Sequence, residues 1–272
     1  MNKKYQKVVV LFLIVLNTLI YYSIFSYLNI KSQVLFLPVG EGDSELIKTR
    51  SGNILIDAGP KQNVLVPLSS AISLVDKTID IVLITHPDSD HFQGLIKILD
   101  YYKVRLVVLN NFSLANGNYV ELLTRLYEMK IPVLLGVEGT LINLNDGIKL
   151  SFLYPSISEL KKVKTTNEMS VVSLLDMNGK KFLFTGDITE KPLTLVMEKY
   201  LKGSVIDVLK VPHHGAKNTL SEYILRNILV KKAIIEVGKN NYGHPTDFMI
   251  NLLNDMDIPY LRTDLDGVIE FD

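Results

Sequence analysis

The sequence predicts a mixed α/β fold in which helices cover β-sheets, with one membrane-spanning helix in front of it. Short β-rich runs dominate the start of each half of the chain, at 33–57 and at 132–185. Strands then alternate with helices in both halves, a pattern typical of sheets that carry helices on their outer faces. Residues 32–272 contain no linker long enough to divide them, so we expect them to form one domain.

The composition fits a folded protein with an uneven distribution of charge. Apolar residues make up 47% of the 272 residues and charged residues 21%. Residues 1–31 carry four lysines and no acid, which leaves 25 basic against 29 acidic residues in the remainder. This acidic balance argues weakly against a non-specific nucleic-acid binder. The chain has no cysteine, so a disulfide framework and a thiol nucleophile are excluded, and any transition metal needs His, Asp or Glu ligands.

Residues 8–28 form an uncharged, apolar stretch that is long enough to cross a bilayer as a helix. Lys3, Lys4 and Lys7 precede it, and this positive flank predicts that the N-terminal tail stays in the cytoplasm. A cleaved signal peptide is the alternative, but no small-residue cleavage pattern of the A-x-A type follows the stretch. We therefore expect a single-pass membrane protein in which residues 1–31 are the tail and anchor, with the rest outside the cytoplasmic membrane.

Hydrophobic periodicity and turn residues divide the remaining chain into short elements. The predicted strands lie at 33–39, 44–50, 53–57, 81–85, 105–109, 132–135, 140–143, 148–154, 170–176, 181–185, 205–210, 232–237, 259–262 and 267–271. The predicted helices lie at 63–75, 92–100, 118–129, 189–200, 219–229 and 246–255. Residues 156–169 are polar and rich in lysine, and we expect a loop there.

The five histidines of the chain are His86, His91, His213, His214 and His244. Each of them lies just after a predicted strand or in a loop rich in Gly and Pro. Histidines without a function, scattered through the core or over the surface, would not be expected to show this distribution. Their placement indicates a functional site.

The strongest motif is the segment HPDSDH, which runs from His86 to His91. It follows an apolar strand and leads into a helix, so its two imidazoles and two carboxylates can face one point. Such a ligand set suits Zn, Mn or Fe. Capping of the helix by Asp88 or Asp90 is the alternative, but capping would explain one Asp and not the whole set. The motif therefore predicts a divalent-metal site.

The HPDSDH segment resembles the H-x-[HD]-x-D-H signature of the metallo-β-lactamase fold. The variant with Asp88 in the middle is similar to the ComEC-type branch of DNA-uptake proteins. Further segments match that branch in the same order: VGEGD (39–43), NILIDAG (53–59), NEMS (167–170), FLFTGD (182–187), VPHHG (211–215), YGHP (242–245) and TDLDG (263–267). The resemblance spans about residues 33–271, and the joint occurrence of the motifs makes it specific.

The resemblance implies a four-layer αββα sandwich with a metal site at one edge, which makes residues 32–272 a hydrolase domain. Two metal positions would share Asp187. The ligands of the first would be Asp90, His91, Asp187 and one of His213 and His214, and those of the second would be His86, Asp88 and Asp187. The expected cofactor is one or two divalent ions, Zn or Mn. Their number stays open because no histidine lies between 92 and 212, where the wider fold has a further ligand.

Five other residues are expected to support this site. Asp57 would orient a ligand through hydrogen bonds, and Asp43 would either do the same or cap a turn. Asn167 and Ser170 lie where the wider fold has its extra histidine. His244 would donate a proton or bind a substrate oxyanion, and His213 is the other candidate for protonating the leaving group.

The resemblance implies a metal-dependent phosphodiesterase or nuclease in which Asp90 orients the attacking water. Proteins of the ComEC type are thought to degrade the DNA strand that is not imported, so DNA is one expected substrate. A small exported phosphodiester, such as a choline-phosphate group, is another. The alternatives are a non-catalytic binding module stabilised by metal and, least favoured, a β-lactamase, since Asp88 and the missing histidine depart from those enzymes. The sequence indicates no protein partner.

Overall fold

The structure is a computed structural model that describes residues 3–28, 31–72, 76–110, 117–144, 147–162 and 165–272. Its strands, in chain order, are β1 (Gln33–Phe36), β2 (Glu45–Thr49), β3 (Gly52–Ile56), β4 (Thr78–Leu83), β5 (Lys103–Leu109), β6 (Val133–Leu135), β7 (Leu141–Asn143), β8 (Lys149–Tyr154), β9 (Val172–Met177), β10 (Lys180–Phe184), β11 (Val205–Ile206), β12 (Val208–Lys210), β13 (Leu229–Val230), β14 (Ala233–Ile235), β15 (Tyr260–Arg262) and β16 (Ile269–Phe271).

The α-helices connect these strands or precede them. They are α1 (Lys3–Leu28), α2 (Leu65–Ala71), α3 (Ser89–Tyr101), α4 (Gly117–Glu128), α5 (Ile157–Leu160), α6 (Glu190–Val196), α7 (Glu222–Asn227), α8 (Asp247–Asp255) and α9 (Thr263–Asp266). Two single 3-10 turns, Asn167–Met169 and Pro212–Gly215, and one π-helical turn, Met197–Leu201, complete the set.

Two seven-stranded sheets form the centre of the molecule. The first has the order β16-β1-β2-β3-β4-β5-β6 and the second the order β15-β14-β12-β10-β9-β8-β7. Apolar side chains of both sheets meet in a core between them, where the rings of Phe36 and Phe184 lie 6.1 Å apart. A second core packs α3 and α4 against the first sheet, and a third packs α6, α7 and α8 against the second. The predicted four-layer αββα sandwich is therefore confirmed.

The parallel strands of both sheets send their carboxyl ends to the edge that carries the predicted site. Strands β3, β4, β5 and β6 are parallel in the first sheet, and β10, β12, β14 and β15 are parallel in the second. Loops at the carboxyl ends of such strands lie side by side, which is why α/β folds bind ligands there. Segments distant in sequence are thereby brought to one place.

The stretch predicted to be a loop, 156–169, is more ordered than expected. Its start forms helix α5, because Ser156 and Glu159 make a reciprocal capping box: the Ser156 side chain accepts from the Glu159 amide, and the Glu159 side chain accepts from the Ser156 amide. Its end forms the 3-10 turn Asn167–Met169. Residues 163 and 164 lie outside the described residues.

Several predicted elements differ from the structure in their bounds. The helix expected at 63–75 is the shorter α2. Residues 73–75, the end of the expected range, lie outside the described residues. The strand expected at 205–210 is divided into β11 and β12, which pair with different neighbours. The helix expected at 219–229 is the shorter α7, and residue 229, the last of the expected range, belongs to β13.

Helix α1 contains the apolar stretch predicted to be an anchor. A window of 20 residues, Lys3–Tyr22, has a mean hydropathy of 1.6 and is 0% buried against the described remainder of the chain. Its length and composition suffice to cross a membrane. Asn17 and Thr18 are the polar side chains in its middle, and both donate hydrogen bonds to backbone carbonyls one turn earlier, which lowers the cost of placing them in lipid.

Candidate metal centre

Carboxylates and imidazoles from both sheets converge at the shared edge. His86 and His91 follow strand β4, Asp187 follows β10, and His213 and His214 follow β12. The carboxylate of Asp187 lies at the centre, because its Oδ2 atom is within 3.3 to 4.0 Å of the Nε2 atoms of all four histidines. The structure thus brings together the residues on which the sequence prediction rests.

One group, which we call the His91 side, consists of Asp90, His91 and His214. Its Nε2 atoms lie 3.8 Å (His91) and 3.5 Å (His214) from Asp90 Oδ2, and 3.3 Å and 3.6 Å from Asp187 Oδ2. One ligand atom from each of these three residues and one from Asp187 lie within 4.8 Å of one another. Ligand atoms of a tetrahedral site with bonds of about 2.1 Å are about 3.4 Å apart, so this spacing fits one divalent ion.

The other group, the His86 side, consists of His86, Asp88 and His213. His86 Nε2 lies 3.5 Å from Asp88 Oδ2 and 4.0 Å from Asp187 Oδ2, and His213 Nε2 lies 3.7 Å from Asp187 Oδ2. Asp88 occupies the position before helix α3, but its side chain makes no capping hydrogen bond to that helix. Helix capping therefore does not account for this residue, and its carboxylate is directed at the histidine.

Three of the four imidazoles around Asp187 donate a hydrogen bond from Nδ1. His91 Nδ1 lies 2.8 Å from Asp57 Oδ2, and His214 Nδ1 lies 2.9 Å from the carbonyl oxygen of Glu236. Both partners only accept hydrogen bonds, so both Nδ1 atoms carry the proton. Such contacts fix the tautomer and the ring orientation of metal-ligating histidines.

His86 is oriented by the same principle through one more residue. Its Nδ1 lies 3.0 Å from Thr85 Oγ1, and that hydroxyl donates its own proton to Asp57 Oδ2 at 2.7 Å. Thr85 Oγ1 therefore accepts from His86 Nδ1. Asp57 thus orients His91 directly and His86 through Thr85.

These bonds direct the Nε2 atoms of His86, His91 and His214 towards Asp187 Oδ2, into the pocket of the metal centre, and none of the three has a hydrogen-bond partner in the described parts of the chain. Asp187 Oδ1 also lacks a partner there, and all four atoms are buried. A buried imidazole nitrogen or carboxylate oxygen without a partner is costly. Divalent ions would give these atoms partners, and imidazole and carboxylate are ligands that such ions accept. The donor set therefore fits a metal.

His213 differs from the other three histidines in its hydrogen bonding. Its Nδ1 lies 3.2 Å from the Asn167 side-chain nitrogen Nδ2, which can only donate. Nδ1 is therefore the acceptor, and in the neutral ring the proton sits on Nε2. His213 thus presents an N–H group to the pocket where His214 presents a lone pair. Its side chain is also 31% exposed, whereas that of His214 is 2% exposed.

The turn that carries both histidines is a strained piece of backbone. His213 and His214 have φ values of 51° and 54°, a left-handed conformation that non-glycine residues rarely adopt. Such strain persists only where the surroundings enforce it. Here Gly215 continues the left-handed turn at φ 83°, and a Cβ on it would lie 2.7 Å from Pro245 Cβ. The left-handed turn lets two adjacent imidazoles face the same carboxylate.

The pocket favours positive charge. Burial would lower the pKa of the His91 imidazole, but the carboxylates of Asp187, Asp57 and Asp43 outweigh burial and raise that pKa well above its usual value. Burial would likewise raise the pKa of Asp187, but His91 and His214 hold it well below the usual range. In the absence of a cation, protons on the imidazoles neutralise the acids, and a metal ion would compete with those protons.

A lysine that the sequence reasoning missed lies beneath the metal centre. Lys210 is fully buried, with Nζ 2.5 Å from Asp43 Oδ2. It also donates hydrogen bonds to the carbonyls of Gly186 (3.2 Å) and Val211 (3.3 Å), which precede Asp187 and the histidine turn. Burial would lower the pKa of this ammonium group, but Asp43 and Asp187 outweigh burial and raise it. Lys210 therefore joins the two loops of the second sheet that carry metal-facing residues.

Asp43 connects this lysine to the histidines. Its Oδ1 lies 3.3 Å from His214 Nδ1, and its Oδ2 lies 3.6 Å from His91 Nδ1. Of the two roles left open for Asp43, the geometry therefore favours support of the metal centre. Two more buried acids that the sequence reasoning missed adjoin it: burial raises the pKa of Glu236 to about 7, and burial together with Glu236 raises that of Glu45 well above its usual value.

The remaining predicted residues line the site or its rim. Ser170 Oγ accepts from the amide of Asp187 at 3.1 Å and so fixes the central carboxylate from behind. His244 lies on the rim, with its ring centroid 5.4 Å from that of His213 and its Nδ1 3.3 Å from Glu41 Oε1. Asn167 acts on His213, as described above.

Comparison with known proteins agrees with this geometry. Residues 37–235 match the description "Metallo-beta-lactamase superfamily". The chain belongs to this superfamily. It is thus a hydrolase of a superfamily that binds divalent metals, typically one or two, and the ring of unpartnered imidazole and carboxylate atoms is where this chain can hold them.

Two curated relatives are competence proteins. The chain is 28% identical over 269 residues to the ComE operon protein 3 of Bacillus subtilis, an alignment that covers 91% of this chain and 34% of the relative. It is 26% identical over 236 residues to the competence protein ComA of Neisseria gonorrhoeae, with coverages of 85% and 31%. The chain thus spans about a third of the length of these relatives. The predicted resemblance to the ComEC-type hydrolase domain is confirmed.

Solved structures share the fold at much lower identity. The metallo-beta-lactamase fold protein YhfI from Bacillus subtilis superposes with a TM-score of 0.57 at 8% identity, covering 89% of this chain and 100% of that one. A likeness of this kind confirms the architecture. Together with the competence relatives, the apolar helix α1 indicates a membrane-associated protein.

Proposed function

We propose that this chain is a metal-dependent phosphodiesterase of the nuclease type, anchored by residues 8–28 with its hydrolase domain outside the cytoplasmic membrane. The observation that carries the proposal is the set of buried, unpartnered nitrogens His86 Nε2, His91 Nε2 and His214 Nε2, all of which lie within 4.0 Å of Asp187 Oδ2. Zn or Mn is the ion that this mixture of imidazole and carboxylate would take. The competence relatives favour DNA as the polymer on which it acts.

The His91 side would hold the first ion and the His86 side a weaker second one. A divalent ion supplies Lewis acidity towards a phosphoryl oxygen and a water of lowered pKa. Asp90 would orient the attacking water. Burial would raise the pKa of its carboxyl, but the contact with His214 and the charge of His91 hold that pKa far below the usual range. Asp90 is therefore ionised at neutral pH and accepts a hydrogen bond from the water.

His213 would protonate the leaving oxygen. Asn167 directs its proton to Nε2, the atom that faces the pocket, and its partial exposure leaves that atom accessible to a substrate. Burial, the largest influence, lowers the pKa of His213, and the neighbouring imidazoles of His214 and His244 lower it further. A neutral imidazole with its proton on the pocket-facing nitrogen can give that proton to an alkoxide as it leaves, and the imidazolate so formed regains a proton from solvent water, to which the partly exposed ring has access.

The test is hydrolysis by the full-length protein in detergent, stripped of metal and then supplied with Mn or Zn. Single-stranded DNA, double-stranded DNA and bis-p-nitrophenyl phosphate are the substrates. We expect metal-dependent cleavage of at least one DNA form and of the small ester. Asp90→Ala should abolish both activities and leave the fold intact by circular dichroism, while Asp255→Ala, a matched change at the exposed end of α8, should alter neither.

Two outcomes would contradict the proposal in different ways. Full activity of Asp90→Ala on bis-p-nitrophenyl phosphate would show that the attacking water is oriented elsewhere. Cleavage of the small ester without cleavage of any DNA would favour a small exported phosphodiester, such as a choline-phosphate group, as the natural substrate.

A further inference from the structure

A row of aromatic rings leads from the metal centre to the surface. The ring of His213 lies 5.4 Å from that of His244, and the ring of Tyr242 stacks on the other end of the row, 5.8 Å from His244 with an angle of 27° between the planes. Tyr242 is 78% exposed. One face of its ring is therefore covered by an imidazole that adjoins the site, and the other face is open to solvent.

The loop that carries Tyr242 is held rigidly by one side chain. Asn240 Oδ1 accepts hydrogen bonds from the amides of Tyr242 (3.0 Å), Gly243 (2.9 Å) and His244 (3.1 Å). Its Nδ2 donates to the carbonyls of Gly238 (3.0 Å) and His244 (2.8 Å). Five bonds to one amide group fix the backbone from which the ring projects. The loop is thus preorganised to present an aromatic surface, which lowers the entropy lost when a ligand binds.

A second exposed aromatic residue lies next to the histidine turn together with a cation. Lys217, three residues beyond His214, places its Nζ 5.9 Å from the ring centroid of Phe248. The segment that carries Phe248 is held against the histidine turn by Thr246. Its amide and its hydroxyl both donate hydrogen bonds to the Gly215 carbonyl, at 3.0 and 2.9 Å. The rim therefore combines an ammonium group with two aromatic rings.

We propose that Tyr242 is a stacking platform for an unpaired base of a single-stranded nucleic acid, and that Lys217 contacts a phosphate of the same strand. This inference rests on the proposed phosphodiesterase function and adds the form of its substrate. Aromatic rings bind bases of any sequence because every base has a flat face, and lysines follow the backbone charge. A base on Tyr242 would place the adjacent phosphodiester near His213 and Asp187.

The same features disfavour two other ligands. A base inside a duplex is stacked on its neighbours and has no free face for Tyr242. A quaternary ammonium group, such as that of choline, also binds aromatic faces, but the positive charge of Lys217 beside Phe248 would repel it. A flexible, negatively charged strand with splayed bases meets both requirements of this surface.

The experiment measures binding and cleavage by the full-length protein in detergent. Binding of a fluorescent single-stranded oligonucleotide is followed by anisotropy in EDTA, where no cleavage occurs. Tyr242→Ala should weaken this binding by about 5- to 150-fold, the range reported for removal of one stacking partner, and Tyr242→Trp should restore it. Tyr127→Ala is the matched control, because Tyr127 is 85% exposed on α4, next to the start of β6 at the opposite edge of the sheet.

Two further comparisons separate stacking from charge. An oligonucleotide with a run of abasic sites should bind wild type and Tyr242→Ala equally, since it offers no base to stack. Lys217→Ala should lower the slope of log affinity against log salt by about 0.7, the value for one phosphate contact on a single strand, while Tyr242→Ala should leave that slope unchanged.

The outcomes distinguish failure of the stacking inference from failure of the proposed function. If wild type cleaves DNA but Tyr242→Ala binds and cleaves single strands as wild type does, the platform is wrong and the nuclease function stands. Equal weakening of normal and abasic strands by Tyr242→Ala would also overturn the platform. If phosphocholine is bound through Tyr242 while single strands bind independently of it, the platform is wrong. If wild type neither binds nor cleaves nucleic acid, both the platform and the nuclease function are wrong.

Discussion

The two sides of the metal centre share Asp187 but are built differently. On the His91 side, both imidazoles are buried, and acceptors that are themselves buried, Asp57 and the Glu236 carbonyl, hold their Nδ1 protons. On the His86 side, one imidazole is held in this way and the other, His213, is partly exposed and accepts from Asn167. The first arrangement is suited to holding an ion, and the second to exchanging protons with a substrate.

This difference assigns separate tasks to two adjacent residues. His213 and His214 share a left-handed turn and both face Asp187 Oδ2, at 3.7 and 3.6 Å. Distance alone does not separate them. The hydrogen-bond partner at Nδ1 does, because it decides whether Nε2 carries a lone pair or a proton.

The largest effect is expected from the carboxylate that joins the two sides. Asp187→Ala should remove metal from both and lower phosphodiester hydrolysis by about 1000-fold or more, since a metal supplies several kcal/mol of transition-state stabilisation. Metal analysis and steady-state kinetics of the purified variant measure this. If Asp187→Ala keeps a full complement of metal, the two sides are not joined through this residue.

Separate substitution of the adjacent histidines sharpens the comparison. His214→Ala should lose the metal. His213→Ala should keep it, while kcat on DNA falls by about 10²- to 10⁴-fold, the usual contribution of a general acid. The loss in His213→Ala should be much smaller on bis-p-nitrophenyl phosphate, because nitrophenolate leaves without protonation.

The reverse pattern would contradict the assignment. If His213→Ala loses the metal and His214→Ala keeps it, His213 is the ligand. An equal loss of activity by His213→Ala on both substrates would show that it does not protonate the leaving group.

Substitution of the buried Lys210, which lies beneath the metal centre, should affect activity less but should clearly lower the stability of the fold. Lys210→Met leaves Asp43 buried without its cation, and removal of one partner from a buried ion pair typically costs about 3–5 kcal/mol. The control is Lys231→Met, which breaks the exposed pair with Asp207 and should cost less than about 1 kcal/mol. Urea denaturation of both variants gives the two values, and similar losses would show that Lys210 does not hold the loops together.

Much of the fold and the metal-facing residues could be predicted from the sequence. The reason is that the strands are short apolar runs and that the motifs follow them directly, as in IVLIT before His86 and FLFTGD around Asp187. Both patterns are local, so they are visible without knowledge of the tertiary structure. The turn between β9 and β10 is local in the same sense, because Asn178 followed by Gly179 is a sequence that favours a tight hairpin turn.

The residues that were missed depend on contacts between distant segments. Lys210, Glu45 and Glu236 are separated by up to 191 positions, and only pairing of the strands places their charges side by side. A signal was nevertheless present for Lys210 and Glu236, because each is a charge within an apolar run, and a charged residue is seldom fully buried unless it is paired. The roles of His213 and His214 could not be separated either, since Asn167 and Glu236, which decide them, are remote in sequence.

The metal content of the full-length protein tests the central claim most directly. The protein is purified in detergent without chelator, analysed for metals, and analysed again after incubation with Mn or Zn and removal of the free ion. We predict at least one equivalent per chain, retained in His213→Ala and lost in His214→Ala. Less than ~0.2 equivalents in the wild type, unchanged after incubation, would contradict the claim, because ligand sets of this kind bind tightly once deprotonated.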